Sequence, residues 1–168
     1  MKISNNKLII INLITYILLL LPISKLDLFK ENYSTLSLNT RGYFYLLFIG
    51  ILIGLILYYE TKRLNKKYSL LILISMIIGV IIPHHVPYNL QGNIHLLFSY
   101  TGSFIVVVLT LLNIFRFTEL TNIYIFGVFI SILSIFRYSM VTTLCEVILM
   151  SFILFCNLYA YIKTSSGN

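Results

Sequence analysis

Residues 43–67 read YFYLLFIGILIGLILYYETKRLNKK, an uncharged apolar run followed by a short basic segment. The run over 43–59 has nearly the length of about 20 residues that an α-helix needs to cross a bilayer. The segment 60–67 holds four Lys or Arg residues in eight, and such an excess marks the cytoplasmic side of a membrane span. This stretch therefore predicts a transmembrane helix that ends at the cytoplasmic face.

The same pattern recurs along the whole chain. Of its 168 residues, 59% are hydrophobic and only 10% are charged, against roughly a quarter charged in an average soluble domain. The apolar runs that predict membrane helices cover 8–22, 43–59, 68–82, 94–115, 123–139 and 142–162. We therefore predict an all-α fold in which residues 1–168 form one integral membrane domain, a polytopic bundle of about six transmembrane helices.

The distribution of Lys and Arg predicts that both termini face the cytoplasm, with 23–42 as a long external loop. On that arrangement the basic residues inside are Lys2, Lys7, Lys62, Arg63, Lys66, Lys67, Arg116 and Lys163, and those outside are Lys25, Lys30, Arg41 and Arg137. The net charge of +7 thus follows the membrane topology, and no nucleic-acid partner is expected. Membrane lipids are the expected partners, and the four basic residues of 60–67 (Lys62, Arg63, Lys66 and Lys67) could contact anionic headgroups.

The start of the chain resembles a secretory signal peptide, because Lys2 and Lys7 precede an apolar stretch. However, Pro22 and Lys25 stand where a cleavage site would have small residues. We therefore predict that this segment is retained as the first helix.

One face of the predicted fourth helix carries small and polar side chains, spaced by three or four residues. Its members are His95, Ser99, Gly102, Val106, Thr110 and Asn113. Similar faces are marked by Gly50 with Gly54, by Ser75 with Gly79, and by Gly127 with Ser131 and Ser134. Such residues let membrane helices approach closely and bond to one another, so these faces predict one compact bundle.

Glu146 is the acidic residue that falls inside a predicted membrane run, and a charge there is costly unless it is paired. Arg137 lies at the end of the preceding run, only a few residues from the start of the last one. We therefore predict an Arg137–Glu146 ion pair. It could simply join two helices, or it could form part of a binding site.

The binding-site reading adds His95, which opens the fourth helix on the external side. Together with Arg137 and Glu146, it would form a polar pocket for a lipid headgroup or small solute at the outer leaflet, with Tyr88, Asn89 and Asn93 as rim donors. A zinc site built from His84, His85, His95 and Glu146 is a weaker alternative, because adjacent loop histidines lack the helical spacing of strong metal sites. No cofactor is expected.

Three functions remain open from the residues alone. The favoured one is a non-enzymatic binding or accessory component in the membrane. The second is a small solute or lipid transporter, which would need a water-accessible path along the His95-to-Asn113 face. The third is a membrane-embedded hydrolase or metalloenzyme that uses the histidines with Glu146.

The segment IP at 82–83, with NIHLLFSY at 93–100 and Glu146 early in the last run, is similar to a known pattern. It resembles bacterial six-helix proteins of unknown function that are distantly grouped with damage-regulated autophagy modulators. His95 and Glu146 carry the likeness, whereas Val147 replaces the arginine that usually follows the acidic residue. The resemblance implies a multi-pass protein of a bacterial cell membrane and implies no defined activity.

Overall fold

The computed structural model describes residues 4–62, 66–82 and 90–166, and this part of the chain is helical without a β-strand. Its six α-helices are α1 (Asn5–Leu20), α2 (Thr40–Thr61), α3 (Lys66–Ile81), α4 (Leu90–Ile114), α5 (Thr118–Tyr138) and α6 (Thr143–Ser166). The predicted all-α helix bundle is confirmed, and each predicted run overlaps one of these helices.

Five segments of the described chain are long and apolar enough to cross a membrane, as expected for a multi-pass membrane protein. They are Asn5–Ser24, Thr40–Thr61, Gly92–Ile114, Thr118–Tyr138 and Thr143–Ser165. The remaining helix, α3, has 16 residues and a length of about 24 Å. It is therefore shorter than a hydrocarbon core of about 30 Å. The outer surface suits lipid, because large side chains such as Phe104, Phe115 and Phe136 are exposed there.

The bundle is organised around α6, which packs against α1, α2, α4 and α5, while α3 lies between α2 and α4. The small residues lie where helices approach most closely. A Cβ atom added to Gly50 would come within 2.7 Å of Val80, and one added to Gly102 within 2.8 Å of the Ser75 carbonyl oxygen. The prediction that these faces serve helix packing is therefore confirmed.

The C-terminal half of the small and polar α4 face is packed inside the bundle. Val106, Thr110 and Asn113 are all buried. Thr110 Oγ1 accepts a hydrogen bond of 3.1 Å from Asn157 Nδ2 on α6. This part of the face thus joins α4 to α6.

The connection between α1 and α2 folds down onto the start of α6. It contains two short 3₁₀ helices, Leu21–Ser24 and Tyr33–Leu38. The backbone N–H of Thr143 donates to the Glu31 carbonyl at 2.6 Å, and that of Leu144 donates to the Leu28 carbonyl at 3.1 Å. The Tyr33 hydroxyl donates to the carbonyl of Leu19. This loop therefore forms one wall of the bundle's interior at the end where α2, α4 and α6 begin.

The described lysines of the basic segment 60–67 lie at the surface. Lys62, Lys66 and Lys67 are exposed, while Arg63 lies outside the described residues. The Lys62 ammonium lies 5.5 Å from the centre of the Tyr58 ring. The predicted contact of this segment with anionic lipid stays a prediction.

Candidate functional site

A cavity of about 140 Å³ lies between the α1–α2 loop and helices α2, α3, α4 and α6. Most of its walls are apolar, formed by side chains such as Leu46, Ile53 and Met150. Gly50, Gly79 and Gly102 also line it. A Cβ atom added to Gly79 would lie 3.9 Å from Ser99 Cα, an ordinary van der Waals distance, so this position has room for a methyl group.

Glu146 brings a carboxylate to this apolar cavity. It sits in the first turn of α6 and lines the cavity. Its Oε2 atom accepts a hydrogen bond of 2.6 Å from the backbone N–H of Tyr33. Burial raises the pKa of the Tyr33 hydroxyl and the Glu146 carboxylate raises it further, so the phenol remains a neutral donor to Leu19. Through the Tyr33 N–H, the α1–α2 loop fixes the position of the Glu146 carboxylate.

His95 reaches the same loop from α4. Its side chain is only 1% exposed. Its Nδ1 atom lies 2.6 Å from the carbonyl oxygen of Ile82, and its Nε2 atom lies 3.1 Å from Ser34 Oγ. Ser34 is the neighbour of Tyr33 and lines the cavity. The predicted site residues His95 and Glu146 therefore both bond to the two-residue segment Tyr33–Ser34, from different helices.

The predicted Arg137–Glu146 ion pair is wrong. Arg137 is exposed, and the ion pair found in the described part of the chain joins Lys30 to Asp27 instead. Ser139 ends α5 in the left-handed conformation, with φ of 55°, and the α1–α2 loop then bonds to the start of α6. Glu146 consequently faces the interior and Arg137 the outer surface.

The other predicted rim residues do not contribute a described contact. Asn93 is exposed. Tyr88 and Asn89 lie outside the described residues, as do His84 and His85 of the zinc alternative. Within the described ranges, no three His, Cys, Asp or Glu side chains group closely enough to hold a metal ion.

The structure also contains a buried acid, Glu60, at the start of the segment that the sequence predicts to follow the second membrane helix. Glu60 belongs to α2, which continues to Thr61, and its side chain is 0% exposed. Its Oε1 atom accepts a hydrogen bond of 2.8 Å from Asn12 Nδ2 on α1. The assumption that Glu146 is the lone acid within a membrane run is therefore wrong.

The arrangement around the cavity combines three chemical properties. The walls can hold a hydrocarbon chain, the Glu146 carboxylate can accept hydrogen bonds from a polar group, and Ser34 presents a hydroxyl beside an imidazole. Sequence reasoning missed Ser34, because a single serine in a long loop carries no periodic signal that would mark it.

Comparison with known proteins finds no family model, no curated protein and no solved structure that matches this chain. The likeness to the six-helix proteins grouped with the autophagy modulators stays a prediction.

Proposed function

We propose that this protein binds a membrane amphiphile, with the hydrocarbon chain in the cavity and an amine-bearing head at Glu146. The observation that carries the proposal is the Glu146 carboxylate lining a cavity whose walls are otherwise mostly apolar. A ligand that fits must therefore match both surfaces, apolar along most of its length and hydrogen-bonding at one end.

The surroundings of Glu146 favour a ligand with a cationic head. A carboxylate at membrane depth needs a partner, and in the described part of the chain that partner is the neutral Tyr33 amide, with no cation within ion-pair distance. An ammonium group would supply a charge-assisted hydrogen bond, which is roughly twice as strong as a neutral one.

The size of the cavity limits the ligand. Its volume of about 140 Å³ is close to that of an engineered cavity of about 150 Å³ that holds benzene. This space takes a segment of one alkyl chain and excludes the body of a two-chain phospholipid. We therefore propose a single-chain amphiphile, or one chain of a larger lipid.

The position of Ser103 supports entry from the lipid phase. Ser103 lines the cavity and is also exposed on the outer surface of α4. It lies in the middle of a helix that is long and apolar enough to span a membrane. A chain in the bilayer could therefore enter sideways, past Ser103.

The packing of α4 favours binding over transport. The cavity includes Ser99 and Gly102, whereas Thr110 and Asn113, further along the same face, are buried in the bundle. On the predicted orientation, with both termini in the cytoplasm, the cavity lies at the outer leaflet of a bacterial cell membrane.

The test is to purify the protein in lipid nanodiscs and measure retained amphiphiles by native mass spectrometry. Wild-type protein should carry an amine-bearing amphiphile at near one per chain. Ser103→Phe should reduce that occupancy about tenfold by blocking the entrance, a loss of about 1.4 kcal/mol in binding free energy.

The matched control is Thr101→Phe, because Thr101 is exposed on the same helix and is not among the residues that line the cavity. It should retain wild-type occupancy. If wild-type protein carries no amphiphile above the level of Ser103→Phe, the proposed function is wrong.

A further inference from the structure

Ser34 and His95 are arranged as a hydroxyl and a base. The carbonyl oxygen of Ile82 can only accept a hydrogen bond, so the 2.6 Å contact places a proton on His95 Nδ1. In a neutral imidazole the other nitrogen, Nε2, is then an acceptor. Ser34 Oγ lies 3.1 Å from Nε2, within the distance at which a base can take a hydroxyl proton.

A second serine touches the same nitrogen, but its hydrogen is used elsewhere. Ser99 Oγ lies 3.3 Å from His95 Nε2, and it donates its hydrogen to the Gly79 carbonyl at 3.0 Å. A serine hydroxyl has one hydrogen, so the hydrogen directed at His95 comes from Ser34. Ser34, His95 and Ile82 thus form a chain of nucleophile, base and orienting acceptor.

The Ser34 end of this hydrogen-bonded series faces the cavity. Ser34 lines it beside Glu146, and the backbone N–H of the preceding residue, Tyr33, bonds to the Glu146 carboxylate. His95 is 1% exposed, so the imidazole is shielded from the surroundings. An amphiphile held in the cavity would therefore place its head within reach of the Ser34 oxygen.

We infer that Ser34 is a nucleophile activated by His95 and that it takes an acyl group from an ester-linked amphiphile. This inference rests on the proposed binding of an amphiphile in the cavity and adds a reaction to it. The chemical class of substrate is an ester or thioester of a single fatty chain.

The reaction balances with water as the second substrate. The Ser34 oxygen attacks the ester carbonyl, and its proton moves to His95 Nε2. The bond between the carbonyl carbon and the leaving oxygen or sulfur breaks, and His95 gives its proton to the leaving group. Water then attacks the Ser34 acyl ester, again with His95 as base, which releases the fatty acid and restores the serine.

The experiment uses an alkyl fluorophosphonate, which forms a bond from phosphorus to an activated serine oxygen and releases fluoride. The full-length protein in nanodiscs is treated with the probe and followed by intact-protein mass. Wild-type protein should gain one adduct, and peptide mass analysis should locate it on Ser34. Ser34→Ala should gain none. His95→Gln should react at least about 100-fold more slowly than wild-type protein, as expected for loss of a general base.

Ser24→Ala is the matched control, since Ser24 is an exposed serine of the same α1–α2 loop and is not among the residues that line the cavity, and it should label at the wild-type rate. No adduct on wild-type protein, or an adduct on a residue other than Ser34, would overturn the inference. Amphiphile retention is measured on the same samples. If wild-type protein retains an amphiphile yet forms no adduct, binding stands and the reaction is wrong, whereas loss of both contradicts the proposed function as well.

Discussion

Two of the glutamates in the described helices of this protein face the interior of the bundle, and they occupy contrasting surroundings. Glu60 on α2 is 0% exposed and bonds to the side chain of Asn12 on α1. Glu146 on α6 lines a cavity and bonds to the backbone of the α1–α2 loop. A buried acid that meets another side chain in a closed contact joins two helices. One that faces a cavity can meet a ligand.

The contact around Glu60 also indicates its protonation state. Glu60 Oε2 and Asn12 Oδ1 are both buried, and neither has a hydrogen-bond partner in the described part of the chain. Both atoms are acceptors when the acid is ionised. A proton on Oε2 would bond to Asn12 Oδ1 and close a ring of two hydrogen bonds with the existing Asn12 Nδ2 contact. We therefore expect Glu60 to be a neutral acid that joins α1 to α2.

The largest expected effect of this contrast is on stability. Glu60→Ala should lower the free energy of unfolding by about 2–4 kcal/mol, because it removes a packed side chain and its hydrogen bond from the core. Glu146→Ala should cost less, about 1–2 kcal/mol, because it removes the hydrogen bond that the Tyr33 N–H donates but takes no packed side chain from the closed core. Unfolding in detergent micelles measures both, and equal losses for the two variants would contradict the comparison.

The second-largest expected effect is on ligand binding, and it should be confined to substitutions of Glu146. Glu146→Gln should weaken binding of a long-chain alkylamine about tenfold or more, since a hydrogen bond to a charged group contributes about 1.5–3 kcal/mol. Titration followed by native mass spectrometry measures the dissociation constant. Glu60→Gln should bind the amine like wild-type protein.

A long-chain alcohol serves as the matched probe, because it lacks the positive charge. Its affinity should change little in Glu146→Gln. If the amine and the alcohol lose affinity equally in this variant, Glu146 does not recognise a cationic head.

The helices and their packing faces could be predicted from the sequence, because both depend on local patterns of residues. Long apolar runs predict the membrane helices, and small residues spaced by three or four predict the contacts of Gly50 and Gly102 that the structure contains. The sequence pattern predicts that the second membrane helix ends at 59, because Glu60 begins the basic segment 60–67. Yet Glu60 lies seven residues after Ile53 and four after Ile56, which are both buried, so the same helical spacing could have placed it inside.

The candidate site could be predicted only in part, because long-range contacts build it. His95 and Glu146 stood out as polar residues at the ends of apolar runs. Ser34 meets His95 across 61 positions of sequence, and no local pattern encodes that contact. The Arg137–Glu146 pair failed because closeness in sequence does not fix the direction of a side chain when a distant loop packs between two helix ends.

A smaller effect separates the two protonation states of Glu60. In Glu60→Gln, the new amide can donate to Asn12 Oδ1 and accept from Asn12 Nδ2, which reproduces the ring expected for a neutral acid. The free energy of unfolding should therefore change by less than about 0.5 kcal/mol, within the range of a substitution that preserves its contacts. A gain of more than about 1 kcal/mol would instead show that wild-type Glu60 carries a buried charge. Infrared spectroscopy gives a second measurement, since the carbonyl band of a protonated acid should disappear in this variant.

The smallest effect is expected at Arg137, and it tests why the two acids differ. If the α1–α2 loop rather than a cation holds Glu146, Arg137→Ala should change the unfolding free energy by less than about 0.5 kcal/mol, as for an exposed residue, and leave alkylamine binding intact. Tyr33→Pro is the informative counterpart, because it removes the one N–H that donates to Glu146 Oε2 and should weaken amine binding. A loss of amine binding in Arg137→Ala that equals the loss in Tyr33→Pro would mean that the charge on α5 reaches Glu146 after all, and that the cavity-facing acid is paired in the same way as Glu60.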